Sequence, residues 1–489
     1  MYFEERKAEL LANAEKRIEQ IKKLQELGLV CKDGEFVPSV HYPPITQYDQ
    51  CMQEDVYQGF SMPKDGLMDV YVHFPFCENH CTFCHYPGLL GDQPEEKKKY
   101  LEHLEKEMDL FLEQMQIDKI RPRSILLGGG TPTYMSPEML NHFLDFLCAR
   151  IDKSALKQFN VDLDPVTMLG EKGEERLHIM RDHGIDRLTI GCQSLNDKIL
   201  KLMNRHHNAE QAIEAVYRSH DFGFQNNIEF IYGYLGQDLE NWAETIEKAA
   251  TLPVEEIQLY RLKVLAYGDY QGAIINARRE GSKLHIPDFY DTMRMKQVAI
   301  DLLGMYGYTE NLRRVYTKEK KHISHYAYNQ CCNLFDQVGF GLTAFSSFRD
   351  RFVLNTQNFD EYYSKIDSGK LPLNRGYLRT KESQMRWSMI LPIKNQNIRK
   401  MKFEKLNGIP FDEVFRDKIE NLIKYGLIED TGRTIELTDL GKFVADEVAE
   451  QFNENKYLPF PREHYADGIL NPYNHNATED AHPSLIKGE

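Results

Sequence analysis

No apolar run in the 489 residues approaches the ~18–20 that carry a helix across a bilayer, so no membrane span is expected. Positive charge is scarce: 60 Lys and Arg stand against 75 Asp and Glu, a net charge of −15, which argues against a surface that coats nucleic acid. The opening "MYFEERKAELLANAEKRIEQ" lacks the apolar core of a secretory signal; it is charged and patterned as a helix, and a cytoplasmic location is the expectation. The nine cysteines are an odd count and, without an export signal, a poor disulfide framework. Cys148 and Cys192 lie in apolar runs and read as small core residues, and the adjacent Cys331 and Cys332 as structural or incidental. The remaining composition is ordinary for a soluble protein, and the length allows two or three domains.

What is present is an alternation of short β-branched or apolar runs with helical stretches. Strands are predicted at 68–73, 124–127, 159–163, 187–191, 227–231 and 257–262. Leu101, Leu104, Met108, Phe111 and Met115 form one apolar stripe, and "SPEMLNHFLDFLCARI" starts with a Ser136 cap and Pro137. Six such units predict an α/β fold with parallel strands and right-handed crossovers, a partial (β/α)6 TIM-like barrel. Polar residues mark the end of nearly every predicted strand: the cysteine loop, "GGGTP", Asp162 and Asp164, Gln193, Glu229 and Tyr232, then Arg261 and Lys263. Barrel enzymes build their sites on that rim.

Within "HFPFCENHCTFCHYPG", Cys77, Cys81 and Cys84 have C-x3-C-x2-C spacing. A structural zinc site prefers four ligands in two separated pairs, and His85, next to Cys84, would point away from a centre gripped by that cysteine. Iron–sulfur clusters are also held by closely spaced thiolates, and three protein thiolates on four irons leave one iron open. The other rim residues have plainer readings when taken singly: a glycine run as a tight turn, Arg205 as a surface residue, Asp162 as a local cap.

The cysteine spacing, with Phe83 before the third cysteine, resembles the radical S-adenosylmethionine (SAM) superfamily. "YVHFPFC", "LLGGGTPTYMSPEML", "IDRLTIGCQSLNDKILKLMNRHH", "NIEFIYGYLGQDLENW" and "VGFGLTAFSSF" resemble, in order, segments of its oxygen-independent coproporphyrinogen III oxidase-like branch, over about residues 68 to 450. The resemblance implies that Cys77, Cys81 and Cys84 hold a 4Fe-4S cluster whose open iron chelates one SAM molecule, with room in some relatives for a second. Reductive cleavage of SAM then yields a 5′-deoxyadenosyl radical that abstracts hydrogen from the substrate. It further implies Phe83 near the adenine, and Gly128, Gly129, Gly130 and Thr131 at the methionine end. Arg205 would meet the SAM carboxylate, Gln193, Asp162 and Glu229 would hold amino and ribose groups, and Tyr71 would close over the site.

Three departures stand out. Asp162 and Glu229 exchange the glutamate and aspartate usual at those places, the usual proline of the fifth segment is Leu235, and the fourth cysteine of authentic coproporphyrinogen oxidases is Tyr86. A tyrosine there suits relatives with other substrates, including radical methyltransferases and haem chaperones. Three readings therefore stand: oxidative decarboxylation of a tetrapyrrole propionate, radical methylation, or haem binding with little chemistry. Basic candidates for substrate carboxylates are Arg261, Lys263, Arg278, Arg279, Arg313 and Arg314, and the implied partners are a small-molecule substrate and a one-electron donor such as flavodoxin or ferredoxin. The expected organisation is an N-terminal helical arm (1–66), the barrel core (67–310), a glycine-rich extension (311–375), a winged-helix-like cap (376–452) that covers the site rather than reading DNA, and an irregular tail (453–489). The arm's helix, about 3–28, is expected either to lie over the barrel mouth or to stand in solvent.

Overall fold

The computed structural model describes residues 2–32, 39–51, 53–84, 86–262, 281, 283–458 and 462–474. All six predicted strands form: β1 (Leu67–Phe74), β2 (Arg121–Gly129), β3 (Gln158–Leu163), β4 (Arg187–Gln193), β5 (Gln225–Tyr232) and β6 (Glu256–Arg261). Each pairs in parallel with the next, in registers such as Val70 with Ile125, Asp162 with Thr189 and Glu229 with Gln258. The helices α1 (Tyr2–Glu26), α2 (Pro94–Met115), α3 (Pro137–Ala149), α4 (Gly170–Asp182), α5 (Ala209–Asp221), α6 (Leu239–Thr251) and α7 (Phe289–Met305) precede, connect and follow them. The Ser136 hydroxyl accepts from Met139 N at 3.2 Å, which fixes the start of α3.

Side chains alternate faces along a strand, and here the alternation separates chemistry from core. Val70, Val72, Ile125, Leu127, Phe159, Val161, Leu188, Ile190, Ile228, Phe230, Ile257 and Leu259 are buried in one apolar cluster with helix residues such as Leu104, Phe111, Leu140 and Trp242. The intervening positions carry Asp69, Tyr71 and His73 on β1, Asn160 and Asp162 on β3, Arg187 and Thr189 on β4, Asn227 and Glu229 on β5, and Glu256, Gln258 and Tyr260 on β6. They line a polar lumen.

The sheet is open among the described residues. Outside β6 lies the antiparallel hairpin β7 (Thr309–Leu312) and β8 (Val315–Thr317). Outside β1 lies β9 (Gln337–Phe340), a seventh parallel strand that the sequence did not announce, followed by the antiparallel β10 (Phe345–Ser347), β11 (Arg351–Asn355) and β12 (Leu373–Leu378). The residues between β8 and β9 meet the N-terminal ends of the barrel strands. Ser324 N donates to Glu256 at 3.2 Å, His325 N to Gln158 at 2.8 Å, and Asn329 Nδ2 to Asp69 at 3.1 Å.

The C-terminal module, expected as a cap over 376–452, opens with a helix at Lys381. Helices α8 (Lys381–Asn395), α9 (Lys400–Asn407) and α10 (Arg416–Lys424) surround a three-stranded antiparallel sheet of Asn397–Arg399, Ile428–Asp430 and Thr434–Leu437. The N-terminal helix α1 does not stand in solvent. Phe3, Leu10 and Ala14 join the barrel core, and Ile18, Ile21 and Leu24 join the core of the C-terminal module. Cys192 is buried as expected, whereas Cys148 is only partly covered. In the tail, expected to be irregular, Leu470 is buried and its N–H reaches Leu27 O at 2.7 Å; residues 475–489 lie outside the described residues.

Candidate active site

The cysteine loop leaves β1 at the C-terminal edge of the sheet and folds back over β2. Gly130 N donates to Phe74 O and Thr131 N to Phe76 O, each at 2.8 Å. That overlay accounts for the three glycines. A Cβ on Gly130 would sit 2.5 Å from Phe76 O and 2.9 Å from Cys77 Sγ. One on Gly129, at φ +107°, would meet the His73 ring at 2.8 Å, and one on Gly128 would meet Asp162 Oδ2 at 2.8 Å. The glycines are room for the loop and the lumen side chains, not a bare turn.

The far side of the loop is tied to the segment after β4. Thr82 N donates to Met203 O at 3.2 Å, Asn204 Nδ2 to His80 O at 2.7 Å, and the Thr82 hydroxyl meets Tyr234 OH. Phe83 rests against the apolar group of Ile199, Met203, Ile231, Tyr234 and Leu235, so the departure at Leu235 is part of the loop's seat. Arg205 is mostly covered rather than a surface residue. Its Nη1 lies 3.1 Å from Cys81 Sγ, and its Nη2 donates to Gly191 O at 3.0 Å and to Asp164. Burial would raise the Asp164 pKa; Arg205, then His206 and His207, outweigh it and hold the carboxyl well below the usual range. Asp164 also caps the turn Pro165–Met168, accepting from Val166 N at 3.2 Å, so the local cap is Asp164, and Asp162 faces the lumen.

Burial pushes the Cys77 thiol up to about 11, partly offset by Thr131, with Cys84 and Cys81 adding to the rise. Burial also raises Cys84, and Cys81 contributes. The thiols thus feel one another, although among the described residues no three His, Cys, Asp or Glu side chains already form a coordination shell. Three soft donors on one loop, no fourth beside them among the described residues, and a β2 backbone stripped of Cβ atoms where Cys77 lies fit a cluster with three protein ligands. His85 lies outside the described residues.

Inside the lumen, Tyr71 OH is 2.9 Å from His73 Nδ1, and burial takes His73 down to about 4. Burial, then Glu229, raises Asp162 to about 7, and burial raises Glu229 despite a hydrogen bond from Tyr260 OH at 3.0 Å. Two half-buried carboxyls facing one lumen resist simultaneous ionisation. Beneath them Arg187 donates to Glu256 and, at 3.1 Å, to Asn160 Oδ1. Gln193 ends β4 at φ +66°, its amide nitrogen about where a Cβ on Gly191 would intrude, 3.0 Å away. Sequence reasoning passed over Arg187, Glu256, Tyr260 and His73; their signal was a polar residue at every second place of an otherwise apolar strand.

Two expected rim residues face elsewhere. Tyr232 shares the outward side of β5, its ring centroid 5.3 Å from Trp242, and Arg261 lies over the Phe289 ring at 5.6 Å. Arg314 stays near the lumen, 4.2 Å over the Tyr260 ring, while Arg313 pairs with Asp446 at 2.7 Å. Lys263, Arg278 and Arg279 lie outside the described residues.

Residues 71–249, the stretch that carries the three-cysteine loop, match the profile of the Radical SAM superfamily: this stretch is a radical SAM domain. The chain is 23% identical over 447 residues to the oxygen-independent coproporphyrinogen III oxidase of Helicobacter pylori, covering 87% of this chain and 95% of that one. It is 26% identical over 395 residues to the Bacillus subtilis protein named heme chaperone HemW, covering 79% of this chain and 99% of that one. The solved structure of coproporphyrinogen III oxidase (HemN) from Escherichia coli superposes with a TM-score of 0.71 at 22% identity, over 84% of this chain and 95% of that chain, and has the same fold. Among the described residues no helix is long and apolar enough to cross a membrane.

Proposed function

We propose that this chain is a radical SAM enzyme, with Cys77, Cys81 and Cys84 as the cluster ligands, acting on a tetrapyrrole or related substrate by coproporphyrinogen oxidase-like oxidative decarboxylation. The observation that carries the reading is the clamped loop: Cys81 against Arg205 on one side, Cys77 under Gly130 on the other, both at the mouth of a polar lumen. When bound, the cluster and SAM supply a 5′-deoxyadenosyl radical that removes a substrate hydrogen. The chain's own part is placement. The seat of Phe83 and Thr82 fixes the loop's height over the lumen. Tyr71, Gln193, Arg205 and the Asp162–Glu229 pair offer the polar contacts that a sulfonium amino acid and a ribose require. A one-electron donor of flavodoxin or ferredoxin type is the implied partner.

A second reading, a haem-binding chaperone, draws support from the relative of that name and from Tyr86, 60% exposed, where a fourth cysteine would stand. Anaerobic incubation of cluster-loaded protein with SAM, a strong reductant and coproporphyrinogen III separates these readings. Loss of carbon dioxide from the porphyrinogen with 5′-deoxyadenosine formation supports decarboxylation, methylated product supports a methyltransferase, and haem binding without deoxyadenosine supports the chaperone. Cys81→Ala removes the brown absorbance and all SAM cleavage; if it keeps both, the cluster assignment is wrong.

A further inference from the structure

At the opposite end of the barrel from the cysteine loop, a cleft of about 750 Å³ opens between the β-hairpin turns of the extension and the helices α8 and α9. The turn at Arg349 and Asp350 joins β10 to β11, Arg379 and Thr380 follow β12, and Phe335 precedes β9, all at the N-terminal ends of the parallel strands. The size is that of a small-molecule site.

Its charge is out of keeping with the chain. In a protein of net charge −15, five cations line this one cleft: Arg349, Arg379, Lys381, Lys402 and Lys405. On the acid side, Asp350 lines the wall and is already bonded to Arg351 at 2.7 and 2.9 Å, and Asp336 lies 3.6 Å behind Arg349. Lys402 reaches in over the Phe335 ring at 5.3 Å, and burial, then the nearby Arg399, takes its ammonium down to about 8. The first turn of α8, a helix of 15 residues, also faces the cleft, and the positive end of a helix favours negative charge.

A second observation is independent of charge. One side-chain donor on the wall is buried without a hydrogen-bond partner: Arg379 Nε. The rest of the Arg379 guanidinium is fixed, donating to Phe348 O at 2.5 Å and to Ser347 Oγ at 3.1 Å, so Nε is held in place rather than free to seek solvent. Polar atoms buried without partners are uncommon and mark places where a partner belongs.

We propose that this cleft binds a small polyanion, a molecule bearing two or more carboxylate or phosphate groups. It is separate from the SAM and cluster site, and its occupation ties the extension to the C-terminal module, since both contribute walls. Trp387 serves as a reporter: one of only two tryptophans, it lies 4.2 Å from the Arg379 guanidinium.

The test is calorimetric titration of the full-length, cluster-loaded protein with inorganic pyrophosphate in one arm and benzene-1,2,4-tricarboxylate in the other. Ionic strength is matched with sodium chloride throughout, because loose attraction to a cationic patch is screened by salt. The expected result is saturable, one-to-one binding of at least one probe with a change in tryptophan emission; the tighter arm names phosphate or carboxylate. The double variant K381A/K405A, both exposed side chains, should weaken that binding at least tenfold with SAM binding unchanged. Should the double variant fail to fold, Arg349→Ala alone carries the same test with at least a threefold loss. No saturable heat up to 10 mM of either probe, or variants that titrate like the parent, overturns the proposal.

Discussion

Asp164→Asn is the sharpest test of how the cysteine loop is held. The Asp164 and Arg205 side chains retain only 7% and 10% of their exposure, so this is an ion pair out of water. Neutralising one member of a buried pair strands the other, at a cost of about 3–5 kcal/mol. Asparagine still offers an oxygen to Val166 N, so the cap survives and the low end, about 3 kcal/mol, is expected. Unfolding entropy of roughly 2.1 cal/mol/K per residue over 489 residues gives about 1 kcal/mol/K if the chain melts as one unit, hence a Tm about 3 °C lower. The pH dependence follows from the carboxyl's depressed pKa. The stabilisation is complete above its unfolded value of about 4 and disappears as pH falls through the lower folded value. Calorimetric melts at pH 7 and pH 3 should therefore show the gap between parent and variant narrowing in acid. Adding Arg205→Gln removes the stranded cation, so the double variant should lose less than the sum of the single ones. A Tm difference under 1 °C at neutral pH, a gap at pH 3 no narrower than at pH 7, or strict additivity would refute the argument.

Gly130→Ala should lower iron loading severalfold with little change in far-ultraviolet dichroism, because its Cβ would collide with Phe76 O and Cys77 Sγ; full iron content would show that the loop sits elsewhere. Asp162 holds its proton up to about pH 7, so binding of the cationic SAM should tighten between pH 6 and pH 8 by several-fold and release a proton in calorimetry across buffers. A flat profile in the parent, or a slope that survives in Asp162→Asn, would remove Asp162 from the site. Glu107 lies buried in α2 and accepts from Gly341 N at 2.8 Å, Asn355 Nδ2 at 2.7 Å and Tyr362 OH at 2.6 Å. Glu107→Leu orphans three donors at about 1–3 kcal/mol each, and a Tm within 1 °C of the parent would contradict that count.

The six barrel strands and the cysteine loop could be read from residues alone, since strand alternation, caps and ligand spacing are local properties. The C-x3-C-x2-C spacing fixes three sulfurs on one loop whatever surrounds it. Gly128–Gly130 could be seen but not explained: what a missing Cβ makes room for is a neighbour distant in sequence, His73, Asp162 or the Phe76 carbonyl. Tyr232 and Arg261 were misplaced because a strand end fixes height along the barrel, while parity decides lumen or helix layer.

The chain by itself determined the α/β alternation, the thiol set and the polar positions, because each depends on neighbours within a few residues. Only the tertiary structure decided that β9 joins beside β1, that Arg205 is committed to Asp164 and the Cys81 sulfur, that α1 joins two cores, and that five cations of an acidic protein meet in one cleft. Those arrangements join residues tens to hundreds of positions apart, and no local pattern encodes a meeting that depends on how whole layers pack.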